Sequence, residues 1–375
     1  MKKKLSILIY SLASGGAERV VSVLLDELKE KYEITLFLMN DTIFYDIPKN
    51  IKIIYLENSN PSESGIKKLL KLPVLAWKYK KLNDSDISVS FMNRSNYINI
   101  IAKILEFKSK VIISERAMPS LQHKNGVQGF INKFLIKRLY RKADIVIGNS
   151  KGNCRDLVNN FNIQEVKTIY NLIDLKIIKE LSKECVNYRD EKFTFITIGR
   201  LDRGKNHKIL IESMEDIDAK LYIIGDGELR DTLEKQIESL NLQNKVILLG
   251  KQSNPYKYLV QSDCFVFSSL YEGLPNVLLE ALSCGLPIIS TDCQSGPREI
   301  LAPNSDLHFQ IEDDIEISEY GVLTPLNDIK RLSTAMKLII NDEDLRNKYR
   351  NKAKNRASDF DIKKIIKKFE DVFDA

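Results

Sequence analysis

Short apolar runs alternate with amphipathic helical patterns along the whole chain, and this alternation constrains the fold more than any other feature. Many of the runs contain no polar residue, as expected for parallel strands that helices cover on both faces. The predicted strands are residues 5–10, 34–39, 51–55, 87–91, 111–114 and 145–148 in the first half, and 193–198, 220–224, 246–249, 264–267 and 287–291 in the second. Two successive β–α series predict two doubly wound, Rossmann-like α/β domains with parallel sheets.

The length of the chain also fits two domains, because 375 residues exceed what one ordinary hydrophobic core holds. Lys, Glu and Asn become dense between Ile173 and Phe193, so the boundary is expected there. We assign residues 1–175 to a first domain, residues 176–355 to a second, and residues 356–375 to a helical tail.

The charge of the chain is unevenly distributed. Residues 1–175 hold 28 Lys and Arg against 17 Asp and Glu, a net +11, and the remainder holds 29 against 34, a net −5. A basic first domain indicates a surface that faces anions, and the leading candidates are the phosphates of a lipid carrier and an anionic membrane. Nucleic acid is not an expected partner, because the sequence has no recognisable binding module or aromatic-studded basic motif.

The cysteines and histidines argue against a disulfide framework and a zinc site. The chain has three histidines and no C-x-x-C pair, and its five cysteines are widely spaced: Cys154, Cys185, Cys264, Cys284 and Cys293. This usage is typical of a reducing cytoplasm. The basic residues 1–4 and the apolar residues 5–12 also resemble a signal peptide, but they lead directly into two glycines and an amphipathic pattern, which favours a first strand and helix. No apolar stretch is long enough to span a bilayer.

Two glutamates separated by seven residues, Glu272 and Glu280, form the most informative motif. Gly273 and Pro275 stand where a loop turns into a helix predicted for residues 276–283. The amides of residues 274–277 would then form an anion site at the helix N-terminus, with a carboxylate on each side of it. A sugar nucleotide has the matching order of sugar hydroxyls, diphosphate and ribose hydroxyls. The alternative is a loop glutamate and a solvated helix glutamate without a common ligand.

Gly15 and Gly16 follow the first predicted strand and precede a helix. Their backbone can approach a ligand closely and bond phosphate oxygens. The alternative is a plain strand-to-helix turn. Arg19 lies one turn into that helix and either reaches the same anion or points into solvent.

Arg200 and Lys205 follow the first strand of the second half, where a parallel sheet commonly binds phosphates. Two cations there would stabilise the charge that develops on a departing diphosphate, unless they are ordinary surface charges. Gly225 and Gly227 suggest a dinucleotide-binding loop, but the third glycine of that fingerprint is missing.

Together these segments resemble the retaining, family 4 glycosyltransferases, which have the GT-B fold. The resemblance covers most of the chain and rests on five segments in the family's order: residues 14–19, residues 198–206, residues 224–229, the Glu272–Glu280 motif, and residues 295–299. The composition resembles that of bacterial enzymes which build surface polysaccharide, such as O-antigen or capsule, on a polyprenyl-diphosphate carrier. In the family, the two domains face each other across a cleft and a C-terminal helix returns to the first domain.

The resemblance implies a hexosyl or N-acetylhexosaminyl transferase that binds its donor mainly on the second domain and its acceptor mainly on the first. Glu272 would hold the donor sugar, Glu280 the ribose, and Arg200 and Lys205 the diphosphate. The other implied donor-binding residues are Gly15, Gly16, Gly225, Gly227, Gly273, Leu274, Pro275 and Asn276. The expected donor is a UDP-sugar first and a GDP-sugar second. No metal and no cofactor is expected, because no D-x-D motif lies in a suitable loop and cationic side chains can replace a metal at the diphosphate.

One departure from the family pattern concerns the catalytic histidine that many members carry after the fifth strand. Glu115 and Arg116 occupy that place, and His123 lies too far along the chain unless the loop bends. Arg116 is therefore predicted as a catalytic or acceptor-phosphate residue, with a purely local pairing as the alternative. Glu115 and Arg19 are the other residues predicted to bind the acceptor.

Two basic segments of the first domain, residues 67–82 and 130–142, interleave lysine and arginine with apolar residues. Such segments dock on anionic membranes or form ordinary packed helices with solvated faces. Pro73 predicts an interruption in the first segment. The expected location is the cytoplasm, at or near the inner face of the membrane.

Other enzyme classes share elements of this pattern. A GT-B epimerase or phosphorylase would have the same fold, and a nicotinamide-dependent oxidoreductase is a weaker alternative.

Overall fold

The computed structural model describes residues 2–13, 15–60, 62–123, 126–186 and 191–375, and these form two compact units. The first unit contains residues 1–171 and 365–375, and the second contains residues 172–364. The expected boundaries at 175 and 355 compare with changes of unit after residues 171 and 364. The first difference arises because helix Leu175–Leu181, capped by Asp174, packs within the second unit.

The first unit is built on a seven-stranded parallel sheet in the order β3-β2-β1-β4-β5-β6-β7. Its strands are β1 Lys3–Ile9, β2 Tyr32–Leu38, β3 Lys52–Tyr55, β4 Ile87–Phe91, β5 Lys110–Glu115, β6 Ile145–Gly148 and β7 Val166–Thr168. Its helices are α1 Gly16–Leu28, α2 Gly65–Leu70, α3 Leu72–Leu82, α4 Asn93–Ile104, α5 Pro119–Gln122, α6 Gly126–Leu139 and α7 Lys151–Phe161, and a 3₁₀ turn spans Tyr140–Lys142.

The second unit repeats this architecture with the order β10-β9-β8-β11-β12-β14-β13, in which only the β13–β14 pair is antiparallel. Its strands are β8 Thr194–Ile198, β9 Lys220–Ile224, β10 Val246–Gly250, β11 Cys264–Phe267, β12 Ile288–Thr291, β13 Glu316–Ile317 and β14 Val322–Thr324. Its helices are α8 Leu175–Leu181, α9 His207–Glu212, α10 Arg230–Ser239, α11 Tyr256–Leu259, α12 Asn276–Ser283, α13 Pro297–Leu301, α14 Ile329–Asn341 and α15 Glu343–Ala357.

Both sheets are doubly wound, so that each has a point where the strand order reverses. In the first sheet this point lies between β1 and β4, and in the second between β8 and β11. Ligands of open α/β sheets bind outside the carboxyl ends of the strands at such points. The predicted two-domain parallel architecture is confirmed, and the loops that follow β1, β8 and β11 carry three of the five motif segments.

The last helix, α16 Ile362–Asp374, belongs mainly to the first unit. Phe369 and Phe373 are buried there, and the Phe373 ring packs edge-on against Tyr32 with their centroids 6.0 Å apart. Lys3 and Lys31 pair with Asp374 at 3.2 and 3.1 Å. The expected return of the C-terminal helix to the first domain is confirmed.

The core of each unit consists of the strands' apolar residues and the inner faces of the helices. In α1 the buried residues recur at helical spacing: Ala17, Val20, Val21, Leu24, Leu25 and Leu28. The basic segment at residues 67–82 is interrupted as Pro73 predicts, since α2 ends at Leu70 and α3 begins at Leu72. No helix in the described part of the chain is both long and apolar enough to cross a lipid bilayer.

Candidate active site

The loop that carries Glu272 runs from the end of β11 to the start of α12 and is held by a second loop. Ser295 Oγ donates a hydrogen bond of 2.6 Å to the carbonyl oxygen of Gly273. Gly296 has a φ of +91°, and a Cβ built there would lie 2.4 Å from Pro275 Cδ, so only glycine fits. Residues 295–299 therefore hold the Glu272 loop in place.

Helix α12 begins at Asn276, and Pro275 at its N-cap makes no side-chain capping bond. The amides of the first turn point out of the helix N-terminus, the geometry that favours an anion. Glu280 lies on the same helix, is buried, and accepts a hydrogen bond from Tyr256 OH at 3.5 Å. Burial rules out the alternative of a solvated helix glutamate at this position.

Lys205 and Glu272 meet in an ion pair at the reversal point of the second sheet. Both side chains are largely buried, and Lys205 Nζ lies 5.3 Å from the centre of the Phe267 ring. Ser268 Oγ donates to the Lys205 carbonyl at 2.8 Å, and the Leu270 amide donates to the Gly204 carbonyl at 2.9 Å. The phosphate segment and the Glu272 loop thus form one structure, with the ammonium group fixed beside the carboxylate.

Arg200 does not join this cluster in the structure. Its side chain is 82% exposed and pairs with Asp202 at 3.1 Å. Asp202 Oδ1 also accepts the backbone amide of Lys205 at 3.1 Å, so this carboxylate organises the phosphate segment. Arg200 would have to leave Asp202 to reach a ligand beside Lys205.

The glycine loop at Gly225 and Gly227 packs directly on the phosphate segment. Gly225 has a φ of +144°, and a Cβ there would lie 1.8 Å from the Gly199 carbonyl oxygen. A Cβ at Gly227 would lie 2.6 Å from the carbonyl oxygen of Leu201, whose amide bonds the Asp226 carbonyl at 3.0 Å. Close backbone packing therefore requires both glycines, whichever ligand they border.

Sequence reasoning missed the burial of His207, the first residue of α9. Burial, with Lys205 as a second cause, lowers the pKa of His207 to about 4, so the imidazole is neutral. Its Nδ1 is buried and has no hydrogen-bond partner among the described residues. The available signal was its position directly after Lys205 and Asn206 in a segment that turns from strand to helix.

In the first unit, Gly15 is the N-cap of α1 and Ser14 lies outside the described residues. The Gly15 carbonyl accepts the Arg19 amide at 3.0 Å and the Tyr45 hydroxyl at 3.3 Å. A Cβ built at Gly15 would lie 2.2 Å from Glu18 Oε2. A carboxylate therefore already lies beside this helix N-terminus, where it complements the helix dipole, and a phosphate at Gly15 and Gly16 requires Glu18 to move.

Arg116 follows β5 and is held on several sides. Its guanidinium donates to Asn171 Oδ1 and to Ser114 Oγ, the latter at 3.4 Å, and lies 5.9 Å from the centre of the Phe91 ring. Burial lowers the pKa of Arg116 to about 10, although the nearby charge of Glu115 acts to raise it. The side chain therefore stays cationic at neutral pH. Arg116 therefore makes local contacts, as the alternative prediction held. Its side chain is also partly exposed and lies at the carboxyl edge of the sheet.

Glu115 is 2% exposed, and its carboxylate is surrounded by donors. Tyr140 OH donates to Oε2 at 2.7 Å and the Arg116 amide donates to Oε1 at 2.9 Å. The Asn93 amide group, oriented so that both its ends are satisfied, donates to Oε2 at 2.6 Å and accepts from His123 Nε2 at 2.5 Å. The Glu115 carboxylate is therefore not placed to contact an acceptor directly. The loop does bend, however, and α5 returns His123 to the network around Glu115.

The family assignment rests on models that match both halves of the chain. The model described as Glycosyltransferase Family 4 matches residues 14–177, and the one described as Glycosyl transferases group 1 matches residues 179–356. The N-acetylgalactosamine-N,N'-diacetylbacillosaminyl-diphospho-undecaprenol 4-alpha-N-acetylgalactosaminyltransferase of Campylobacter jejuni is 44% identical over an alignment that covers 97% of this chain and 98% of that protein. The chain is a family 4 glycosyltransferase.

Other comparisons agree with this assignment. A second Campylobacter jejuni protein, GalNAc-alpha-(1->4)-GalNAc-alpha-(1->3)-diNAcBac-PP-undecaprenol alpha-1,4-N-acetyl-D-galactosaminyltransferase, is 29% identical over 96% of both chains. Sucrose-phosphate synthase from Thermosynechococcus elongatus superposes with a TM-score of 0.83 at 17% identity, covering 99% of this chain and 98% of that one. HepE of Anabaena, in complex with UDP, gives 0.75 at 19% identity over 99% of both chains. The expected family, GT-B fold and enzyme class are confirmed, and the names favour a transferase over the other three enzyme classes considered.

Proposed function

We propose that this glycosyltransferase moves N-acetylgalactosamine from its UDP derivative to a hydroxyl of a polyprenyl-diphosphate-linked glycan in bacterial surface-polysaccharide synthesis. One observation carries the donor half, namely the Lys205–Glu272 pair beside the N-terminus of α12 at the sheet's reversal point. The sugar and the acceptor class come from the two Campylobacter jejuni relatives, whose names specify N-acetylgalactosaminyl transfer to undecaprenol-linked glycans. UDP is preferred over GDP because HepE, a neighbour in fold, binds it.

The donor is proposed to lie along α12. Glu280 binds the ribose, the first-turn amides and Lys205 bind the diphosphate, and Glu272 binds a sugar hydroxyl. Lys205 is then the cation nearest the bond that breaks, and Arg200 joins after it leaves Asp202. Negative charge grows on the leaving diphosphate, so a fixed ammonium group stabilises the transition state more than the ground state.

We further propose retention at the anomeric carbon without a protein nucleophile. The bond from the anomeric carbon to the phosphate oxygen breaks, and the acceptor oxygen forms the new bond on the same face. The acceptor's proton passes to the departing phosphate oxygen. The cationic side chains take the place of a divalent cation, and transfer is expected to be the same with and without a chelator.

The first unit is proposed to bind the lipid-linked acceptor at an anionic membrane on the cytoplasmic side. Exposed apolar residues lie on α2, α3 and α6: Ile66, Leu70, Val74, Trp77, Val127, Phe130 and Phe134. The starts of α2 and α6 touch, because a Cβ at Gly65 would lie 2.0 Å from Gln128 Nε2. Cations accompany the rings, with Lys81 Nζ 4.0 Å from the centre of Trp77 and Arg138 5.6 Å from that of Phe134. Exposed aromatic residues with a cation beside each ring suit the interface of an anionic bilayer.

A transfer assay tests the reaction. The full-length protein is mixed with a detergent-solubilised polyprenyl diphosphate that carries a terminal N-acetylgalactosamine, and with UDP-GalNAc, UDP-GlcNAc, UDP-Gal or GDP-Man in turn. We expect mass spectrometry to show one added N-acetylhexosamine with UDP-GalNAc. Donor consumption in the absence of acceptor would instead indicate an epimerase or a hydrolase.

Vesicle co-sedimentation tests the membrane surface separately. Binding to vesicles rich in phosphatidylglycerol should weaken with salt, because each basic residue near the surface contributes on the order of 1 kcal/mol. The Trp77→Ser/Phe134→Ser double variant should lose the part that resists salt. The control Phe309→Ser/Ile317→Ser alters exposed apolar residues of the second unit and should bind as wild type does. A wild-type protein that stays in the supernatant at low salt would contradict the proposal.

A further inference from the structure

A chain of buried hydrogen bonds ends at Glu115 in the first unit. Ser90 Oγ donates to Asn96 Oδ1 at 2.9 Å, and Asn96 Nδ2 donates to the Tyr140 hydroxyl at 3.1 Å. The lone pair of Tyr140 facing Asn96 is thereby used, so the hydroxyl proton is directed to Glu115 Oε2 at 2.7 Å. The order of donors along this chain fixes Tyr140 as a donor to the carboxylate.

The surroundings of Glu115 suit a carboxylate and not a carboxylic acid. Tyr140, Asn93 and the Arg116 amide all present N–H or O–H groups to its two oxygens. A protonated Glu115 would place its own O–H against one of these donors, and one of the buried bonds would be lost. The bond lost would be the one from the Arg116 amide or the one from Asn93, and Asn93 also bonds His123.

We propose that Tyr140 and Asn93 are positioning residues, which hold the Glu115 carboxylate so that it fixes the backbone of Arg116 and, through Asn93, the ring of His123 at the carboxyl edge of the first sheet. Glu115 then acts through Arg116 and His123 and does not touch the acceptor. This inference rests on the proposed function for its link to turnover, because Arg116, which Glu115 positions, is predicted to act on the acceptor that the first unit is proposed to bind.

The proposed role of Glu115 makes the site sensitive to pH near neutrality. Burial raises the pKa of the Glu115 carboxyl to about 7, and the bonds from Tyr140 and from the amides of Arg116 and Ala117 oppose the rise. The groups facing it are Arg116 from its own strand end, Tyr97 from α4, Tyr140 from the 3₁₀ turn, and His123 from the end of α5 by way of Asn93. Burial raises the pKa of both tyrosines, and burial with the charge of Lys133 lowers that of His123. Near neutrality the group that changes charge is therefore Glu115, and Arg116 is correctly held only above the pKa of Glu115.

The test follows Glu115 by two readouts in the full-length protein. The backbone amide of Arg116, observed by NMR with ¹⁵N-labelled arginine and assigned with Arg116→Lys, reports protonation without turnover. The pH profile of kcat with UDP-GalNAc and the lipid-linked acceptor reports its effect on the reaction. Tyr140→Phe removes one donor, so both the amide midpoint and the acidic limb should move to higher pH by on the order of one unit. Asn93→Ser, which alters a partly exposed residue, should move them in the same direction.

Tyr79→Phe is the matched control. Tyr79 is also buried in the first unit and bonds Ser88 at 2.7 Å and Ser6 at 3.0 Å, but among the described residues it contacts no carboxylate. Removal of the Tyr79 hydroxyl should leave unchanged the pH midpoint of the Arg116 amide and that of the acidic limb of kcat. An Arg116 amide that does not titrate between roughly pH 5 and 9, an equal shift in Tyr79→Phe, or a kcat profile that ignores the amide shift would each overturn the proposal. If no nucleotide sugar supports transfer, the proposed function fails. The titration of the Arg116 amide still decides whether Tyr140 and Asn93 control the protonation of Glu115.

Discussion

At the scale of single residues, burial and partners distinguish glutamates that the sequence presents alike. Glu280 is buried on α12 beside Tyr256, Glu272 pairs with Lys205, and Glu115 is enclosed by donors. The loop and helix around the first two could be predicted, since Gly273, Pro275 and the apolar pattern determine local conformation. The ion pair between Lys205 and Glu272 could not be predicted, because it joins two residues 67 positions apart. Whether their loops meet depends on the order of the strands in the sheet.

Glu280→Gln should weaken UDP binding by about 1.5–3 kcal/mol, because it removes a charged acceptor from the proposed ribose site and keeps the shape of the side chain. Glu272→Gln should leave UDP affinity nearly unchanged and lower turnover. Calorimetric titration with UDP measures the first effect, and Glu238→Gln on the exposed side of α10 is the control. Wild-type affinity in Glu280→Gln would remove Glu280 from the nucleotide site.

At the scale of elements, the strands with unbroken apolar runs could be predicted, and three short ones could not. Val166–Thr168 has one apolar residue among three and lies at a sheet edge, and Glu316–Ile317 and Val322–Thr324 are just as brief. Their pairing is decided by the neighbouring strands, which a local pattern does not reveal. The return of His123 towards Asn93 escaped prediction for the same reason, since the bend depends on how α5 packs.

Gly225→Ala tests the contact between the glycine loop and the phosphate segment. The new methyl group would lie 1.8 Å from the Gly199 carbonyl oxygen at a φ of +144°, so the free energy of unfolding of the second unit should fall by about 3 kcal/mol or more. Gly250 has a φ of +69°, and the nearest described atom beyond its chain neighbours, Arg230 Nη1, would lie 3.8 Å from an added Cβ, so Gly250→Ala should cost only about 1 kcal/mol. Denaturant unfolding of both variants gives the comparison, and equal losses would show that backbone conformation, not packing, requires Gly225.

At the scale of the whole molecule, two series of β–α units predict two parallel sheets, and the structure has them. The boundaries were harder to place, because they depend on which unit a helix packs against. Helix α16 is an example, because both apolar packing and surface ion pairs attach it to the first unit. These two kinds of contact differ in how far water is excluded from them. Phe373 is 2% exposed, whereas Lys31 and Asp374 are each more than two-fifths exposed.

Phe373→Ala should therefore destabilise the first unit by about 3–5 kcal/mol, the usual range for a buried aromatic residue. Asp374→Asn should cost less than about 1 kcal/mol, because exposed ion pairs are screened by solvent. Unfolding curves of the two variants decide which contact holds the helix. A larger loss in Asp374→Asn would mean that charge, not packing, attaches the tail.

Lys205, paired with Glu272, is proposed to act on the leaving diphosphate, and the chemistry of the second unit depends on this role. The most direct test is a single-turnover transfer assay with Lys205→Ala, UDP-GalNAc and the lipid-linked acceptor, run beside Lys208→Ala, whose exposed lysine pairs with Glu212 on its own helix. We expect the rate in Lys205→Ala to fall by about 10²–10³-fold, as when one transition-state donor is removed, while its affinity for uridine is unchanged and Lys208→Ala reacts as wild type does. A Lys205→Ala enzyme that transfers sugar at a near-normal rate would show that the ammonium group of Lys205 does not act on the diphosphate.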